Sequence, residues 1–132
     1  MTNKRLSIVS FLTAVTIFCT TLSCTNQLRK PEAKLSSKVL FNAFSKIEED
    51  ANIALLNKYI EVDGKVATIG KQSDGSFYAV LESADVFNGV MCTFLHEPKK
   101  PISQGEYITI RGICKAFKGD VQMTDCIVLG QK

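Results

Sequence analysis

The chain has no tryptophan, a single histidine (His96) and three prolines among 132 residues. With one imidazole there is no His-rich metal cluster and no histidine pair for proton relay. His96 also lies in the proline-bearing run "HEPKKPISQGE", where a solvated side chain is the ordinary outcome. A large excess of charge is missing as well. The formal charge is +3, and removing the N-terminal Lys4 and Arg5 leaves 14 basic against 13 acidic side chains. That balance gives no net positive field of the kind non-specific nucleic-acid binding draws on, although Lys99, Lys100, Arg111, Lys115 and Lys118 could still form a local stripe. Glycines Gly64, Gly70 and Gly75 do not have the spacing of a phosphate-cradling loop. No nucleophile beside a base and no carboxylate pair stands out, and Asp63, Asp74, Asp85, Asp120 and Asp125 read as turn and strand-edge residues. A non-enzymatic chain without cofactor or metal is the expectation.

What is present begins with a tripartite N-terminus. Lys4-Arg5 precede an apolar run from Leu6 to Phe18, and small residues lead to Cys24. The run is shorter than the roughly 20 apolar residues a membrane-spanning helix needs, and Ser7, Ser10, Thr13 and Thr16 dilute it, so an export signal is the better reading. Thr21-Leu22-Ser23-Cys24 resembles a relaxed bacterial lipobox of the sort familiar in Bacteroidetes. Leu22 stands two positions before the cysteine rather than three, and Ser23 meets the small-residue requirement. Cys19, preceded by Phe18, is a poor competitor. The resemblance implies a signal peptide over 1–23 and acylation of Cys24. Several acyl chains on one residue anchor far more firmly than a single one. Residues 24–35, polar and aperiodic, are expected to be a flexible tether. Neither an aspartate nor an acidic run follows Cys24, so the address implied is the periplasm-facing side of the outer membrane.

From Ser36 the apolar residues Leu40, Phe44, Ile47, Ala51, Ala54 and Leu55 recur at spacings of three and four, predicting one serine-capped amphipathic helix up to Tyr59 that packs on its own domain. Beyond it the period falls to 2. "YIEVDGKVATIG" is a long first strand interrupted by Gly64, "KQSDGS" carries an Asp-Gly turn signal, and "FYAVLES" returns. "GVMCTFL" is a third strand. "YITIRGIC" and "VQMTDCIVL" form a hairpin about Lys118-Gly119-Asp120. Five strands with a glycine-interrupted first one, plus a preceding helix, predict a mainly β domain over 36–132: a five-stranded Greek-key OB-fold barrel.

The same residues resemble a family. The pattern "YIEVDGKV…V…LES…V.C.F……I..GEYITIRGIC…GDVQMTDCIVL" is similar to the tRNA_anti-like group. Its most specific pieces are Gly105 to Gly112 and Asp125-Cys126. That resemblance implies an OB-fold lipoprotein, in a group named for a distant likeness to anticodon-binding domains and frequent in Bacteroidetes.

With Cys24 assigned to lipid, Cys92, Cys114 and Cys126 remain, and an oxidising compartment can pair two of them. Three pairings are open, and Cys126 is placed to neighbour either of the others. Cys114 with Cys126 would brace the final hairpin, whereas three buried thiols acting as small hydrophobes serve the strands as well. Their separations match no common zinc-ligand spacing.

OB barrels bind extended ligands across their second and third strands and the flanking loops. Here that surface would draw on Lys71, Phe77 and Tyr78, with Arg111, Lys115, Phe117 and Lys118 around it. Two functions follow. One is a non-catalytic, lipid-anchored envelope module binding a protein or glycan; the alternative is single-stranded nucleic-acid binding, for which stacked aromatics among basic residues are the requirement. A continuous positive stripe would favour the second, and interspersed signs the first.

Overall fold

A computed structural model describes residues 29–132. The expected signal segment, Cys24 and the start of the tether lie outside the described residues. Eight elements follow in order: β1 (Ala33–Ser36), α1 (Ser37–Lys46), α2 (Glu48–Leu55), β2 (Tyr59–Lys71), β3 (Phe77–Leu81), β4 (Val90–Phe94), β5 (Tyr107–Lys118) and β6 (Asp120–Gln131).

The barrel closes because β2 serves two neighbours with its two halves. Tyr59 to Lys65 pair antiparallel with β5, and Val66 to Lys71 pair with β3, across a register shift between Val66 and Thr68. A bulge of this kind bends and coils the strand locally, which lets one strand leave one sheet face and enter the other. The remaining pairings complete the circle β2-β3-β4-β6-β5-β2, with β4 and β6 parallel and the others antiparallel. This is the five-stranded OB arrangement read from the sequence, preceded by two helices.

Alternation fixes the inside. Val62, Val66, Ala79, Leu81, Val90, Cys92, Ile108, Ile110, Val121 and Met123 are buried in the lumen, and their chain neighbours face outward. One end of the barrel is plugged by α1, whose Leu40, Phe41 and Phe44 are buried. Phe44 stacks on Phe117 at 5.7 Å, and Phe41 meets the same ring edge-on at 5.9 Å. The helix approaches β2 closely at Gly64, where any Cβ would collide with the Ser37 side chain. Ser37 itself is buried and donates its hydroxyl to the Glu82 carbonyl at 2.5 Å, so its polar atom is satisfied inside the plug.

Two expectations change. The single helix is two, broken at Ile47, whose backbone is non-helical (φ −140°, ψ 74°) and which is more than half exposed instead of lying on the buried stripe. Charge placement accounts for the break. Lys46 closes α1 and Glu48, Glu49 and Asp50 open α2, so each residue sits at the helix end whose partial charge it complements. α1 packs as the periodicity predicted, with Ser36 as its cap accepting the Val39 N–H at 3.2 Å, and in α2 Leu55 packs partly buried against the core. In α2 Ala51 alone is buried. The second change is in the tether, whose last residues are structured. Ala33 to Ser36 form a parallel strand on β2, with Leu35 opposite Val62.

Replacing Phe44 by alanine removes a fully buried ring from the plug and should cost about 3 to 5 kcal/mol of stability. Urea denaturation of Phe44→Ala is the check, with the exposed Ile53→Ala (Ile53 is 76% exposed) expected to stay near wild type.

Candidate ligand-binding face

Cross-strand register assembles the outer face of the second and third barrel strands. One row runs Thr68, Val80, Met91, Gln122 from β2 through β3 and β4 to β6; the next runs Gly70, Tyr78, Thr93. Neither row contains a charged residue. Tyr78 lies over Gly70, since a Cβ built on that glycine would come 2.9 Å from the tyrosine hydroxyl. The absent side chain thus leaves a flat seat for the ring.

The β3–β4 connection walls this face at one end. Val86 and Phe87 at its tip are both 92% exposed, yet the loop that carries them is tightly bonded. Asp85 Oδ1 accepts the N–H groups of Phe87 (2.7 Å) and Asn88 (3.1 Å), and the Ser83 hydroxyl donates to the Asn88 carbonyl at 2.5 Å. The loop is then latched to the β5–β6 turn. Gly89 N–H donates to Asp120 Oδ1 at 2.7 Å while Val121 N–H donates to the Gly89 carbonyl at 3.0 Å. Between loop and strands lies a cavity of about 370 Å³, floored by Ala67, Thr68 and Val80 and rimmed by Ser83, Phe87 and Asn88. An aromatic ring and an aliphatic side chain presented on a bonded loop provide apolar contact without the cost of ordering the loop backbone on binding.

The β2–β3 turn stands at the other end. Asp74 accepts both the hydroxyl (2.5 Å) and the N–H (2.9 Å) of Ser76. These bonds, the hydroxyl's first, hold its carboxyl below the ordinary value of 3.8. Gln72 Nε2 reaches Thr93 Oγ1 at 3.4 Å and ties the turn to the row containing Tyr78.

The side chains nominated from sequence do not form one surface. Tyr78 is on the face and Lys71 at its edge, where Lys71 lies 4.0 Å from Glu97 with both largely exposed. Phe77 points inward, 5.7 Å from Phe94, and packs against the core. Phe117 is held between Phe41 and Phe44 beneath α1 and cannot stack on a ligand. Arg111 and Lys115 lie on the β5 side of the barrel. There Arg111 Nε is bonded to Glu61 at 2.9 Å, with Lys34 4.0 Å from the same carboxylate. Lys115 reaches Asn57 at 3.5 Å. On that side too, the Tyr107 hydroxyl donates to Asp63 at 2.7 Å, and keeping that proton raises the phenol's pKa. Lys118 is exposed at the β5–β6 turn. Lys71, Arg111, Lys115 and Lys118 therefore make no continuous stripe. Phe87, which sequence reasoning overlooked, had a signal in "SADVFNG": two apolar residues inside a turn-forming run, with no alternation to bury them.

Among the described residues Cys92, Cys114 and Cys126 are free and buried. Cys114 stands opposite Met123 across the hairpin, and its thiol is free, so the brace to Cys126 is not formed. Burial alone pushes the Cys114 thiol up to about 11. Among the described residues no cluster of three or more His, Cys, Asp or Glu is placed to hold a metal, and no helix is long and apolar enough to cross a membrane.

Residues 7–127 match the family described as tRNA_anti-like. The chain belongs to the tRNA_anti-like family. The family segment reaches from the N-terminal apolar run through all but the end of β6, and so takes in the whole face. Among solved structures, the fold is similar to a crystal structure from Klebsiella pneumoniae subsp. pneumoniae described as a "putative nucleic acid-binding lipoprotein". The TM-score is 0.58 at 18% identity, over 72% of this chain and 91% of that one, a likeness of fold. No curated protein matches the chain.

Two outcomes check the geometry of the face. Asp85→Ala removes the acceptor for two amides at a cost of about 1 kcal/mol, so exchange at Phe87 and Asn88 should quicken roughly fivefold while the Val66 amide is unchanged. Ser76→Ala should return the Asp74 pKa toward its ordinary value in an NMR titration. Because that pKa is lowered in the folded chain, the turn's contribution to stability is present above the ordinary carboxylate range. It is lost as pH falls through the depressed value.

Proposed function

We propose that this chain is a non-catalytic, lipid-anchored envelope protein whose barrel binds short single-stranded nucleic acid on the outer face of β2, β3 and β4. The observation that carries the reading is the pair of charge-free rows presenting Tyr78, bordered by the latched loop presenting Phe87. Membership of the tRNA_anti-like family and the fold likeness to a lipoprotein described as nucleic acid-binding support it. On this reading Cys24 carries the lipid, residues 1–23 are the signal, and the domain faces the periplasm from the outer membrane.

The electrostatics set the mode of binding. No lysine or arginine lies in either row, and Arg111 is occupied by Glu61. Phosphates would remain in solvent while bases stack on Tyr78 and Phe87, each stacked base contributing about 1 to 3 kcal/mol. Thr68, Thr93 and Gln122 supply donors and acceptors for base edges. Few counterions are displaced, so affinity should be modest and only weakly dependent on salt.

A second reading, a protein or glycan partner, is favoured by one feature of the same face. Its uncharged hydroxyl and amide groups around a flat ring also suit a sugar surface.

Fluorescence anisotropy of residues 25–132 with labelled single-stranded DNA and RNA, at low and physiological salt, separates the two. The expected result is binding with a shallow salt slope, weakened about tenfold or more in Tyr78→Ala and in Phe87→Ala. Arg111→Ala should leave it unaltered. Absence of binding at low salt overturns the nucleic-acid reading in favour of the glycan or protein one.

A further inference from the structure

Cys92 and Cys126 are the two thiols that the closed barrel brings together. On β4 the inward positions are Val90, Cys92 and Phe94; on β6 they are Val121, Met123 and Cys126, the bulge near Asp125 adding one residue to the last step. Cys92 therefore faces Met123, Phe94 faces Cys126, and the two cysteines are diagonal neighbours in adjacent parallel strands. They are 0% and 1% exposed, and the Cys126 thiol is the side-chain partner of Cys92. Each sulfur is 3.7 Å from the carbonyl two residues before it on its own strand, leaving neither tied to a distant group. Gly112 makes the space: a Cβ there would lie 2.6 Å from Cys126 Sγ and 2.9 Å from the Thr124 carbonyl. The third thiol, Cys114, faces Met123 from the β5 side, and burial alone perturbs it, with no second thiol as its partner.

We propose that Cys92 and Cys126 are joined by a disulfide in the mature protein, linking β4 to β6 inside the barrel, with Cys114 remaining a free thiol. Both S–H bonds break and one S–S bond forms. The two protons and two electrons pass to the disulfide of the oxidant, which becomes two thiols. In the cell the oxidant is a disulfide-carrying thiol oxidase of the envelope; in a redox buffer it is oxidised glutathione. Burial raises the Cys92 pKa well above its ordinary value and starves the closed barrel of thiolate, so exchange runs through transient opening of the paired strands and the finished bond is shielded from reductants. Formation in the cell rests on the envelope address proposed above, whereas formation in buffer does not.

The sequence makes the bond simple to map, since trypsin places the three cysteines on separate peptides, 72–99, 112–115 and 119–132. The full chain carrying C19S and C24S, both outside the barrel, is unfolded with reductant, refolded in detergent with reduced and oxidised glutathione, alkylated and digested without reduction. The expected product is peptide 72–99 linked to 119–132, two hydrogens lighter than their sum, with peptide 112–115 fully alkylated. Three alkylated peptides, or a link through 112–115, would overturn the proposal. The same digest on wild-type chain taken from cells is expected to give the same linked pair. A bond in buffer with three alkylated peptides from cells would uphold the pairing and contradict the envelope address instead.

Discussion

Everything in this molecule depends on β2 holding two partners at once. A strand that paired along one line would leave an open sheet with two exposed edges; here its first half is committed to β5 and its second to β3. The register shift after Val66 supplies the turn between those directions, and Gly64, two residues earlier, lets α1 press against the strand at the same point. Closure creates a lumen that apolar alternation can fill, and it needs one end sealed, which the Phe41, Phe44 and Phe117 cluster does. It also fixes which side chains can meet. The row Thr68, Val80, Met91, Gln122 exists because closure lays β2, β3, β4 and β6 edge to edge, and the proximity of Cys92 to Cys126 has the same origin.

Period and punctuation made the barrel legible in the sequence. Alternation in "YIEVDGKV" and "FYAVL", the Asp-Gly turn at residues 74 and 75, and the hairpin about Gly119 correspond to observed strands and turns. The helix was legible as amphipathic but not as broken, because the stripe continues through Ile47 while the charges on either side impose two ends. The strand at Ala33 to Ser36 left no trace in composition. Four residues carry too little pattern, and their pairing with β2 is decided by tertiary contact.

The ligand face was less legible, for a reason specific to small barrels. Nearness in sequence to the hairpin suggested that Arg111, Lys115, Phe117 and Lys118 would border Tyr78. In a closed five-stranded barrel, however, β5 lies beyond β6 from β4 and beyond β2 from β3, so Arg111 and Lys115 face away, Phe117 packs under α1, and only Lys118, on the turn latched to the β3–β4 loop, comes near the face. Alternation then sends Phe77 inward and Tyr78 outward, a distinction that needs the register. On the far side Arg111 is held by the Glu61 carboxylate, which it shares with Lys34. What is left is a face defined by shape and aromatic surface, with a loop whose apolar tip is bonded into an exposed position by Asp85 and Asp120.

Binding therefore turns on where a ligand touches the barrel, and a residue-resolved NMR titration with a short single-stranded oligonucleotide tests it most directly. Amide shifts are predicted to gather at Thr68, Tyr78, Val80, Phe87, Met91 and Thr93. Shifts gathered instead along Thr109, Arg111 and Lys115 would contradict the assignment of the face.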